Sequence, residues 1–195
     1  MSTGTQGALR RLTVATALLA TLTVLGALFT APAGAEAGPA CRGEATQAPK
    51  QASLGELRGS MLCLINRVRE HYGLAPLDEN TPLRRSATGH SNDMVEHGYF
   101  SHDGPAGSTV DSRLTQAGYL ARVNDYFIGE NIGGGIGRVR GSALAVFRAW
   151  MHSPPHRENI LDPQFHDLGI GVARGYPDGG GAAAATYTLD LGMRN

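Results

Sequence analysis

The stretch Phe147–Leu161, Phe-Arg-Ala-Trp-Met-His-Ser-Pro-Pro-His-Arg-Glu-Asn-Ile-Leu, constrains this chain more than any other. Val146, Phe147, Trp150 and Met151 recur at helical spacing and make one apolar face, with Ser142 placed to cap the helix. Pro154-Pro155 must end that helix, because a proline ring clashes with the preceding turn and brings no N–H. His156 then opens a short amphipathic turn that runs to Leu161. Few unrelated folds call for an aromatic helix end, a double-proline break, a histidine and a second turn within fifteen residues.

Upstream, Leu57, Met61, Leu64, Ile65, Val68 and Tyr72 recur at three- and four-residue steps, predicting a helix from Leu54 that Gly73 stops. Asn66 interrupts the stripe and either faces solvent or bonds a neighbouring loop. Thr81-Pro82 supplies a cap and a proline at the first helical position for a second helix through Leu83, Ala87, His90 and Met94, ending at Gly98. His90 lies on its apolar stripe, either satisfied by a loop carbonyl or placed at the edge of a site. Ser108 can cap a short third helix through Val110, Leu114 and Ala117.

Tyr126-Phe127-Ile128 is a brief strand-like run, and the glycine cluster Gly133-Gly134-Gly135-Ile136-Gly137 reads as a flexible surface loop. The cluster lacks dinucleotide spacing and a βαβ setting, so no nucleotide cofactor is expected. Leu168, Ile170 and Val172, then Thr186–Leu191, read as two strands. Helices first and strands last argue for an α+β class with helices covering an antiparallel sheet.

The 195 residues, 42% hydrophobic and 17% charged, suit one globular domain. Arg10-Arg11 precede an uncharged apolar run from Leu12 to Phe29, followed by the small-residue sites Ala33-Gly34-Ala35 and Ala35-Glu36-Ala37. Residues 1–35 therefore read as a secretory signal peptide, with an uncleaved membrane anchor as the rival reading. Cleavage would remove two of seventeen basic residues and no acidic one, leaving a net charge of about −2 and no case for nucleic-acid binding. Residues 36–52, rich in Ala, Pro, Gly and Gln, read as a linker, which leaves 53–195 for the domain. Cys41 and Cys63 are an even pair, and export makes a disulfide between them the default; two free thiols, one of them nucleophilic, are the alternative.

Four motifs occur in order: Tyr-Phe-Ser-His at 99–102, Gly-Glu-Asn-Ile at 129–132, Trp-Met-His-Ser-Pro-Pro-His-Arg-Glu-Asn-Ile-Leu at 150–161, and Leu-Gly-Ile-Gly-Val at 168–172. In this the chain resembles the bacterial branch of the CAP superfamily, that of cysteine-rich secretory proteins, antigen 5 and the pathogenesis-related proteins of group one. The resemblance covers about Leu57 to Leu191 and implies a three-layer α-β-α sandwich with a central cleft. In many members the cleft holds two histidines and two acids, and the matching positions are His102, Glu130 and His156. The second acid does not match, since Ser153 stands where Trp-x-x-Glu would place it.

Two imidazoles and one carboxylate make a His₂Glu set for a divalent metal at His102, Glu130 and His156, zinc suiting it best by ligand softness. The other readings are a Glu130 that orients histidines in a bracing network, and catalysis by bound water. Ser153 suggests a Ser-His-Glu nucleophile, but Ser before Pro-Pro is also what a helix cap looks like. Trp150 reads as core, Arg157 and Glu158 as surface charges or a local ion pair, and His71, His97, His152 and His166 as incidental. The expectation is an exported, monomeric binding module without a membrane span in its mature form. Its cleft at His102, Glu130, His156 and Ser153 takes a small-molecule, lipid or cell-wall ligand, with a metal-dependent hydrolase and a structural interaction module as alternatives.

Overall fold

A computed structural model describes Cys41 and residues 45–195. The signal-peptide reading falls outside the described residues. Helix α1 (Leu54–His71) starts on a reciprocal cap in which Ser53 Oγ accepts from the Glu56 N–H and Glu56 accepts from the Ser53 N–H. Strand β1 (Asp78–Glu79) leads into α2 (Thr81–His97), capped by Asn80, one residue earlier than expected, and ended by Gly98 at φ 66°. Helix α3 (Val110–Gln116) is capped by Thr109 rather than Ser108, with Ser112 returning the bond. Then come β2 (Tyr126–Ile136), α4 (Gly137–Arg140), α5 (Ala143–His152), α6 (Pro154–Leu161), β3 (Asp167–Arg174) and β4 (Ala184–Arg194).

The sheet order is β1-β3-β4-β2; β3, β4 and β2 are antiparallel, and the two-residue β1 joins β3 in parallel at one edge. Alternation sends Leu168, Ile170, Val172, Tyr187, Leu189 and Leu191 to one face, where they pack on Leu57, Met61, Leu64, Ile65 and Val68 of α1 and Val146, Phe147 and Trp150 of α5. On the other face α2 lies directly against β3, and a Cβ at Gly171 would strike the backbone of Ala87. The Leu-Gly-Ile-Gly-Val pattern is therefore a two-sided instruction: branched side chains for one layer, bare backbone for the other. The architecture is α+β, helices on both faces of the sheet.

Most of the expected loop, Gly133 to Ile136, is instead the far half of β2, an eleven-residue strand, and Gly137 opens α4. Glycine normally weakens a strand, but here it permits close approach. A Cβ at Gly133 would lie 2.8 Å from both Trp150 Nε1 and Val146 Cγ1, so α5 can seat on β2 only because the side chain is missing.

Residues 45–52, read as part of a linker, are packed: Ala45, Ala48 and Ala52 are buried, and Arg174 donates to the Pro49 and Ala52 carbonyls. Cys41 and Cys63 are disulfide-bonded, Cα–Cα 5.9 Å, tying this segment to α1 as expected. Asn66 bonds the loop before β1, donating to the Leu77 carbonyl and accepting from its N–H. Among the described residues no helix is long and apolar enough to cross a membrane.

Candidate functional site

The site forms where β2, the edge strand, carries Glu130 in the middle of its run. Register pairs Glu130 with Asp190 of β4, so both carboxylates point to the α2 face, and both are buried. Glu130 Oε1 lies 2.7 Å from His102 Nδ1 and 3.9 Å from His90 Nε2, and Oε2 accepts from Arg113 at 2.6 Å. Arg113, from α3, spends its other terminal nitrogen on the His102 and Ser108 carbonyls, fixing the loop that holds His102. His90 is buried and donates from Nε2 to the Ser101 carbonyl at 3.0 Å, the loop-carbonyl reading, with Glu130 Oε1 3.9 Å away.

Burial would push the Glu130 carboxyl up, but the hydrogen bond from His102 and the Arg113 charge outweigh it and hold it below the ordinary carboxylate range. The same hydrogen bond raises His102. His90 is lowered by burial, so it is neutral near pH 7. Asp190 is raised well above its ordinary value by burial and by the Glu130 charge next to it, which disfavours a second negative charge beside Glu130. At the centre of the cluster the Glu130 carboxylate is held by one guanidinium and one imidazole.

His156 approaches from the opposite layer, on α6, around the edge of β2. Asn131 donates to the His156 carbonyl, and Asn159 donates to Asn131 Oδ1 and to the Glu130 carbonyl. The asparagines of the Gly-Glu-Asn and Arg-Glu-Asn motifs thus clamp α6 to β2 in register. Arg69, buried in α1, donates to the carbonyls of Ile160, Asp162 and Phe165 and fixes the other end of α6. The His156 Nδ1 atom is buried with no hydrogen-bond partner, and burial together with the His102 charge lowers its pKa.

Ser153 occupies the cap position of α6, but its side chain makes no capping bond. Arg157 forms no ion pair among the described residues; it donates to the Tyr72 hydroxyl at 3.0 Å and lies over that ring. His71, His97, His152 and His166 are exposed, and Trp150 is buried, donating to the Ile132 carbonyl at 2.9 Å.

Against a divalent metal the donor set falls short. Among the described residues no group of three or more His, Cys, Asp or Glu comes together to hold one. The His102 Nδ1 and Glu130 Oε1 atoms face each other, and Arg113 takes the remaining Glu130 oxygen. As placed, the three predicted ligands do not fit a His₂Glu shell. Sequence reasoning missed Arg113, Asp190, Asn131 and Asn159. The two asparagines were in view inside the motifs, whereas nothing local marks Arg113 or Asp190.

Beside His156 runs an apolar groove of about 480 Å³, walled by Phe100, Val139, Trp150 and Tyr176, with Ser153 and His156 among its polar groups. Phe100 and Tyr176 pack at 5.5 Å between ring centroids, and Val139 is 87% exposed at the rim.

Residues 62–189 match the family model described as the cysteine-rich secretory protein family, CAP. A relative in Bacillus subtilis, "Uncharacterized protein YkwD", is 33% identical over 126 residues, 65% of this chain and 45% of the relative. The chain therefore spans less than half the length of that curated relative. The crystal structure of an extracellular protein containing an SCP domain from Bacillus anthracis aligns with TM-score 0.56 at 26% identity, over 72% of this chain and 43% of that one. An outer surface protein from Borrelia burgdorferi shares the fold, with TM-score 0.61 at 19% identity, over 74% of this chain and 97% of its own. With the family match spanning well over half of its length and all four motifs in one sandwich, this chain belongs to the CAP, or cysteine-rich secretory protein, family.

Proposed function

We propose that this chain is an exported CAP-domain binding protein whose cleft at the β2 edge takes a ligand with an extended apolar body and a polar head. The observation that carries the reading is the groove beside His156, which joins exposed aromatic and aliphatic walls to a buried, unpartnered imidazole nitrogen. A polar head that bonds His156 Nδ1 removes the desolvation penalty of that atom, while burial of the Phe100, Val139 and Tyr176 surfaces drives association. His102, Glu130 and Arg113 brace the cleft. Binding is preferred over hydrolysis because both Glu130 oxygens are engaged and its pKa is depressed, which makes it a poor general base. A site outside the cytoplasm is supported by the signal-peptide pattern and by the similarity to the extracellular protein of Bacillus anthracis.

Trp150 is the one tryptophan of the chain and lines the groove, so its emission reports occupancy. Anilinonaphthalene sulfonate, then lipid and cell-wall fragments as competitors, should perturb Trp150 fluorescence saturably. Val139→Asp at the exposed rim and His156→Ala at the polar end should each weaken that binding. Equal affinity in wild type and both variants would overturn the groove as the binding surface.

A further inference from the structure

The corner where β2 passes into α5 plays no part in the cluster around Glu130. Ile136 ends β2, and the single turn of α4 carries Arg138, Val139 and Arg140, all exposed. Val139 stands almost wholly in water and Ile136 half so, although aliphatic side chains of this size favour burial. Phe100 and Tyr176, whose rings pack together, continue the apolar surface from Val139 along the groove wall. Contiguous exposed apolar surface rimmed by polar groups marks an interaction site.

The rim here is cationic. From Asn131 to Arg157 the chain has no Asp or Glu, while Arg138, Arg140, Arg148 and Arg157 fall within that run. Arg157 is engaged by Tyr72, but the Arg138 and Arg140 side chains have no hydrogen-bond or ion-pair partner among the described residues. None of the groove walls beside them is acidic. The turn that lies against Ile136 through Gly180 carries one acid, Asp178, and it pairs with neither arginine. Two cations against one acid leave the corner positive on a chain that is neutral as a whole.

A dissolved anion would satisfy the arginines and leave Val139 and Ile136 in water. An anionic bilayer answers both needs at one surface, since the long arginine stems let their charged heads stay among phosphates while short apolar side chains enter below. We infer that this corner docks the chain on an anionic lipid bilayer, with Ile136 and Val139 entering the acyl boundary and Arg138 and Arg140 among the headgroups. Each arginine near such a surface strengthens partitioning by about fivefold, so the contact is weak and reversible. Val139 and Arg140 also wall the groove, so docking brings its mouth to the lipid; Ile136 and Arg138 lie outside the groove walls and make the docking independent of what the groove takes.

The test is tryptophan fluorescence of the full chain with vesicles whose acyl chains are brominated and quench on contact. Val139→Trp and Ile136→Trp each place a reporter at the corner, and wild type, with Trp150 alone, sets the background. Glu70→Trp is the positional control. It is exposed beside Arg69, which bonds the loop entering β3 where Asp167 pairs with Gly192, at the opposite end of β4 from the pair Ile136 and Ala184. The expected result is quenching of both corner reporters by phosphatidylglycerol vesicles, several-fold weaker with phosphatidylcholine alone, and none beyond background in Glu70→Trp. Adding Arg138→Gln should raise the lipid needed for half-maximal quenching about fivefold. Its exposed side chain has no partner to lose, and an unchanged urea midpoint checks the fold of each variant. Quenching at neither corner reporter, quenching equal in Glu70→Trp, or indifference to phosphatidylglycerol or to Arg138 each overturns the assignment. Quenching of Val139→Trp alone would mean lipid in the groove without docking, and overturns it too. Polyphosphate binding that is lost in Arg138→Gln, with no quenching by vesicles, would assign the arginines to an anionic polymer instead.

Discussion

Glu130→Gln keeps the shape of the side chain and removes its charge, which makes it the sharpest probe of the braced cluster. The Glu130 side chain is 2% exposed and the Arg113 side chain 10%, so the substitution strands a buried guanidinium. Breaking such a pair from one side costs about 3–5 kcal/mol. Asp190 offsets part of this, because the Glu130 charge is one cause of its raised pKa and that cause disappears with the substitution. The lower end, about 3 kcal/mol, is therefore expected near pH 7. His102 contributes less: its side chain is 50% exposed, and a half-solvated pair contributes about 1 kcal/mol or below.

Urea unfolding followed by Trp150 emission measures this directly, and with a slope of about 1–3 kcal/mol per molar the midpoint should fall by about 1–3 M. The pH dependence carries a sign. The folded-state pKa of His102 is raised, so its contribution is complete below about pH 6.5 and disappears as pH rises through the raised value. Glu130 itself is depressed, so its contribution is present above about pH 4.3 and is lost as pH falls through the lower folded-state value. His90 and His156 are depressed and pull against His102 in the neutral range, so the quantity to compare is the difference between wild type and variant. NMR titration should find the His102 pKa raised in wild type and lower in Glu130→Gln. A loss below about 1 kcal/mol with an unchanged His102 pKa would refute the braced cluster.

Gly133→Ala should destabilise by about 1–3 kcal/mol and shift Trp150 emission, because its Cβ would meet Trp150 and Val146 at 2.8 Å; urea unfolding and the emission maximum check both. Reducing the Cys41–Cys63 bridge, with a sequence separation of 22, should cost about 3 kcal/mol, read as a lower midpoint in reducing buffer. Zinc titration of the wild type should show weak binding, and Arg113→Gln should strengthen it by freeing a Glu130 oxygen, both measured by calorimetry. Equal zinc affinity in the two proteins would remove the guanidinium as the obstacle.

Much of this protein was legible along the chain because its information is local. Helical stripes such as Leu57, Met61, Leu64 and Ile65, the caps at Ser142 and near Thr81, and the Pro154-Pro155 break act over one or two turns, and each produced the element expected of it. The motifs likewise marked His102, Glu130 and His156 as members of one cleft. What they could not carry was the meaning of residues whose partners lie far away in sequence. The glycines of β2 look like a loop until α5 is laid across them, since a missing Cβ has no local signature. Arg113 and Asp190 lie 17 and 60 residues from Glu130, and neither has a companion beside it in the chain. Sheet register and helix packing bring them to the same carboxylate. The residue types at the site were thus fixed by sequence, whereas the raised pKa of Asp190 and the engagement of both Glu130 oxygens were decided by burial and by partners that only the tertiary fold supplies.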